Sequence, residues 1–99
     1  MENFLNILDN KLKQLTPLIL VNIKGTNGNI VEFLVSYGGH ELPEVGKAIA
    51  LFLVNKYNAE LWHGRLVVFP SQRLTPSNIK YGINKFKDVN ALKNFIINL

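Results

Sequence analysis

The chain has no cysteine, a single tryptophan, a single methionine and two histidines among its 99 residues. Without cysteine there can be no disulfide scaffold, no thiolate zinc site and no thiol nucleophile. Serine is scarce too: Ser36, Ser71 and Ser77 are the only ones, and none stands in the Gly-x-Ser-x-Gly elbow that exposes a serine nucleophile. Long apolar runs are also missing. The longest, Ala48 to Val54, falls far short of the roughly 20 residues a membrane-spanning helix needs, so no membrane role is expected. Charge is thin at 18%, against roughly 25% in ordinary soluble domains. Near the N-terminus Glu2 and Asp9 occupy positions where a signal peptide would carry lysine or arginine. The expectation is therefore a cytoplasmic chain. What is present is a 47% hydrophobic complement, enough to exclude wholesale disorder and to support one modest core, hence a single domain over residues 1–99.

The net charge of +4 is unevenly placed. Up to residue 54, Lys11, Lys13, Lys24 and Lys47 face Glu2, Asp9, Glu32, Glu41 and Glu44, a balance of −1. Beyond it, Lys56, Arg65, Arg73, Lys80, Lys85, Lys87 and Lys93 face only Glu60 and Asp88, a balance of +5. Such asymmetry points toward an anionic partner such as nucleic acid. A solvated lysine-rich surface would read the same way. Most of these cations are lysine, whereas base readout and bidentate phosphate clamping favour arginine.

Residues 2–15 carry Phe4, Leu8, Leu12 and Leu15 at helical spacing with Leu5 beside them, and Pro17 ends that pattern. Residues 18–37 alternate as a β-hairpin. A three-residue loop, Thr26-Asn27-Gly28, would set Val21 opposite Phe33 and Ile19 opposite Val35, making one face wholly apolar, with Gly28 left-handed. The other face mixes Asn22, Lys24, Glu32 and Ser36 with Leu18, Leu20, Ile30 and Leu34, so its base is expected to be covered as well. Gly38-Gly39 reads as a strand-to-helix turn, and Pro43-Glu44 opens a helix expected to reach about Tyr57. In that helix Val45, Ala48, Ile49, Phe52 and Leu53 form one stripe, while Ala50, Leu51, Val54 and Tyr57 fall on the opposite side. Two short strands, Ala59–Trp62 and Arg65–Phe69, flank a His63-Gly64 turn. The stretch Ile79–Phe86 fits either a strand or a helix; Gly82 in its middle disfavours the helix, so a strand is expected. Asp88 then caps a last helix with the stripe Val89, Leu92, Phe95 and Ile96. The fold class is α+β: a two-layer sandwich of order α-β-β-α-β-β-β-α, its antiparallel sheet carrying helices mainly on one face.

Few residues carry recognisable chemistry. The Gly38-Gly39 pair could free backbone N–H groups for an anion, but it fits no phosphate-loop pattern and a turn is the simpler account. His40 and His63 have no framework of further ligands or an orienting partner, so neither a metal, a cofactor nor catalysis is expected. An exposed Trp62 on a hairpin would mark a contact surface, whereas Tyr81 and Phe86 fit the core. Two readings follow. In the first, a non-catalytic module binds nucleic acid, RNA or single-stranded, through Trp62, Arg65, Arg73, Lys80, Lys85 and Lys87. In the second, Leu51 and Val54 on the outer side of the middle helix meet a protein partner or a second copy, forming a homo-oligomer with a regulatory or inhibitory role.

Overall fold

The alternation in residues 19–37 is realised as two long strands in the computed structural model, which describes residues 18–26, 29–57, 59–68 and 80–99. Strand β1 (Ile19–Thr26) pairs antiparallel with β2 (Ile30–Tyr37). A two-residue strand, β3 (His40–Glu41), then folds back onto β2. Helix α1 (Pro43–Tyr57) follows, then a short hairpin of β4 (Glu60–Trp62) and β5 (Arg65–Val67), strand β6 (Gly82–Phe86) and helix α2 (Val89–Ile97). All six strands join one antiparallel sheet, five of them in the order β4-β5-β2-β1-β6 and β3 paired with β2 off that path. Since β1 takes one edge of β2, β3 and β5 share the other edge at opposite ends. The chain is thus a small α+β fold with an antiparallel sheet and two helices among the described residues. The helix expected over 2–15, the Asn27-Gly28 loop tip, Arg73 and Ile79 lie outside those residues.

The hairpin register differs from the expected one. Val21 pairs with Val35 rather than Phe33, Ile23 takes Phe33, and Ile19 takes Tyr37. The apolar face survives, because the shift is by two residues: Ile19, Val21, Ile23, Val31, Phe33 and Val35 are all at most 3% exposed. Side chains alternate with period two, so patterning fixes the parity of a register and not its value. The observed register also sets Lys24 directly opposite Glu32, an opposite-charge pair of the kind that contributes about 0.2–1 kcal/mol. The expected register would have set Lys24 against Ile30.

The helices pack into one cluster with this face. Val45, Ile49 and Leu53 of α1, Leu92 and Ile96 of α2, and Leu66 of β5 are fully buried with the β1 and β2 residues. Close approach of α1 to β2 depends on Gly46, where a Cβ would lie 2.2 Å from the Phe33 carbonyl oxygen. Only a glycine lets the helix sit that low on the strand. The buried arc of α1 is wider than the sequence stripe: Ala50 is fully buried, and Val54 and Tyr57 pack against the cluster. Leu51 alone of the outer set is left open, at 47% exposure.

Local chemistry sets the ends of the elements. Pro43 starts α1 with Glu44 in its first turn, as expected for a pre-set φ and a favourable helix dipole. The Ala91 N–H donates to Asp88 Oδ1 at 2.8 Å, which caps α2. Lys56 Nζ donates to the carbonyls of Ile97 and Leu99, tying the end of α1 to the chain's last turn. The Phe86 and Phe95 rings meet at 5.0 Å between centroids, joining β6 to α2. Both residues of the His63-Gly64 turn have positive φ, +48° and +75°, as a two-residue hairpin turn requires.

Candidate functional site

Strand pairing determines which side chains share the face turned away from the helices. Val31 pairs with Leu66, so the side chain of Glu32 lies beside Arg65, which in turn pairs with Trp62 on β4. Together with Lys24, these residues make a row across the sheet. Arg65 is fully engaged within it. Its Nη2 lies 3.4 Å from Glu32 Oε2, its guanidinium carbon 5.7 Å from the Trp62 ring centroid, and its Nη1 donates to the His63 carbonyl at 3.2 Å. The ion pair is partly exposed, so it contributes about 0–1 kcal/mol. Its consequence is positional: it helps keep the guanidinium over a half-exposed indole.

The lysines gather elsewhere. Lys85 lies in β6 opposite Leu20, and Lys80 and Lys87 flank the same strand. All three are exposed and form no ion pair among the described residues. Asp88, next along the chain, is occupied with capping α2. From β6 to β5 the sheet crosses three strand spacings, about 14 Å. The structure therefore brings Lys80, Lys85 and Lys87 onto one edge and sets Arg65 and Trp62 near the other.

Two aromatic expectations divide. Phe86 packs toward α2 as expected. Tyr81 does not enter the core: it is 43% exposed, and its ring rests over Gly25, where a Cβ would come within 2.8 Å of Tyr81 Cε1. An open aromatic ring thus lies in sequence beside Lys80, at the head of the lysine-bearing strand. Lys24, on the neighbouring β1, adds an exposed cation that sequence reasoning left aside. The signal for it was its place on the even-numbered face of the hairpin.

The remaining candidates are quickly placed. Gly38 and Gly39, with φ of +60° and +81°, close the tight turn between β2 and β3. The expected strand-to-helix turn is thus a strand-to-strand turn, because β3 and Leu42 intervene before α1. His40 and Glu41 are exposed in β3, and His63 is exposed at the β4–β5 turn. No group of three or more potential metal ligands occurs among the described residues. Burial pushes the Tyr57 phenol pKa up, further from the physiological range. No helix among the described residues is long and apolar enough to cross a membrane. Of the Leu51–Val54 pair, Leu51 is open to solvent, while Val54 is partly buried and packs against the core cluster. No protein-family model, curated protein or solved structure matches the chain.

Proposed function

We propose that the chain is a single-domain, non-catalytic cytoplasmic module that binds single-stranded nucleic acid along the β6 edge of its sheet. The observation that carries the reading is an exposed Tyr81 ring just ahead of β6, with Lys80, Lys85 and Lys87 in or beside that strand and in no ion pair among the described residues. Single strands are held by aromatic platforms on which bases stack, framed by cations that track the phosphates. A sandwich with its helices mainly on one face leaves the sheet and its edges for such a ligand. Trp62, with Arg65 laid over its ring, supplies a second stacking surface near the far edge. Edge lysines also keep β6 from pairing with another sheet, so the same residues protect the edge when no ligand is bound.

The test is fluorescence anisotropy with a labelled oligonucleotide of about ten nucleotides, a length suited to a small single-strand site. With three phosphates neutralised, log affinity should fall against log salt with a slope of about −2, or about 20-fold weaker binding from ~50 to ~200 mM salt. The double variant Lys85→Gln/Lys87→Gln should flatten the slope to about −0.7. Loss should be similar for all sequences, because phosphate contacts carry no base information. Absence of binding at low salt, or a slope unchanged in the double variant, overturns the reading.

A second reading is favoured by one observation, the 47% exposure of Leu51 on the outer side of α1. It takes Leu51 as a contact for a protein partner or a second copy, giving a homo-oligomer. Leu51→Glu should then leave a folded protein that elutes as a smaller species than the wild type on size-exclusion with light scattering. A wild type that is monomeric at micromolar concentration removes the homo-oligomer.

A further inference from the structure

The two faces of the sheet are not equally finished. The face toward the helices is closed: every apolar side chain that β1 and β2 turn to it is buried, Tyr37 at the strand end being half-buried. On the opposite face Leu18 is 47%, Leu34 36% and Ile83 62% exposed, with Leu20 half-buried among them. Register makes these one patch. Asn22 pairs with Leu34 on one side and with Ile83 on the other, and Leu20 lies two residues back along the same strand. The patch sits at the end of the sheet where the chain enters β1, away from the row of Trp62, Arg65 and Lys24.

We propose that residues 2–15 of the same chain cover this patch, turning the sheet into the middle layer of the molecule. Three observations converge on that occupant. First, Phe4, Leu5, Leu8, Leu12 and Leu15 form an apolar stripe at helical spacing in the segment that leads directly into β1. Second, its tether is short. Only Thr16 and Pro17 separate Leu15 from Leu18, and three residue steps span at most about 11 Å, so the stripe must end next to the patch. Third, the length suffices: at helical rise, 14 residues extend about 21 Å, and the three strand spacings from β3 to β6 at this end of the sheet extend about 14 Å. The tether also favours this segment over a second copy, because a covalently linked stripe meets the patch at high effective concentration. The inference does not rest on the nucleic-acid reading, but the two adjoin: Ile83 and Lys85 share one face of β6, and Lys85 pairs with Leu20, so a covered patch would leave a nucleic acid the outer edge of β6.

Methyl-resolved NMR of the full chain tests it without any variant. Cross-relaxation is expected between the Leu34 and Ile83 methyls and those of Leu8 or Leu12. A sample mixing differently labelled copies separates contacts within one chain from contacts between chains. Contacts only between copies, or no contact from Leu34 and Ile83 to residues 2–15, would overturn the proposal. The variant Leu8→Gln/Leu12→Gln supplies an independent readout: the Leu34 and Ile83 methyl resonances should shift while those of the core residues Val21 and Ile49 stay in place. If Leu34 and Ile83 do not move, the covering is wrong.

Discussion

Single residues set the tolerance of this fold, and Gly46 sets it most tightly. A methyl group there would lie 2.2 Å from a backbone oxygen of β2, and backbone cannot swing aside as a flexible side chain can. Gly46→Ala should therefore cost at least the 1–3 kcal/mol typical of overpacking, despite alanine's higher helix propensity. Urea unfolding measures this, and a neutral or stabilising effect would mean that α1 can rise off the strand at no cost. Leu51 is the counter-example on the same helix. With its side chain half in solvent, Leu51→Glu should change stability by no more than about 0.5 kcal/mol. Gross unfolding of that variant would place Leu51 in a packed interior. At the β4–β5 turn, His63 holds a left-handed φ of +48°, which costs a non-glycine residue of ordinary type roughly 1 kcal/mol. Asparagine tolerates that conformation better, so His63→Asn should raise the thermal midpoint. A lowered midpoint would show that the His63 ring, which meets Trp62 edge-on at 4.7 Å, contributes more than the backbone strain removes.

At the scale of elements, what was legible in the sequence was whatever local chemistry determines. Pro43 and Glu44 mark the start of α1, Asp88 marks the start of α2, and Gly82 tips an ambiguous segment toward strand. Each acts within a few residues of itself. The hairpin register was legible only in part, because alternation is satisfied by any even shift, and the Lys24–Glu32 pair that distinguishes the choices is a cross-strand relation. Strand β3 has no periodicity to read, being only His40 and Glu41. The functional surface was the least legible. Arg65 and Lys85 look like members of one basic set by composition, yet the strand order sets them near opposite edges and gives Arg65 to Glu32. Strand order comes from non-local pairing, which neither charge counts nor periodicity report. Tyr81 escaped for a related reason: its alternation with Ile83 suggested a shared buried face, but Ile83 pairs with Asn22 on the face turned away from the helices and is 62% exposed, so alternation there does not report burial.

For the molecule as a whole, the unequal charge of the two halves has become an unequal distribution in space. The acidic half supplies β1, β2 and α1, with Glu32 answering Arg65 across strands, while β6 lines one edge with lysines that have no acid opposite them among the described residues. A nucleic-acid ligand would complete that edge, and a protein ligand at Leu51 would approach from the helix side. The two readings therefore predict different footprints, and backbone amide shifts in a titration of the isotope-labelled protein with a short single-stranded oligonucleotide, at low salt, read the footprint directly. The account predicts saturable shifts concentrated at Lys80, Tyr81, Lys85 and Lys87, with a smaller set at Lys24 and Trp62, and their disappearance as salt is raised. Unperturbed β6 amides at ligand excess, or shifts confined to the outer side of α1 around Leu51, would contradict it.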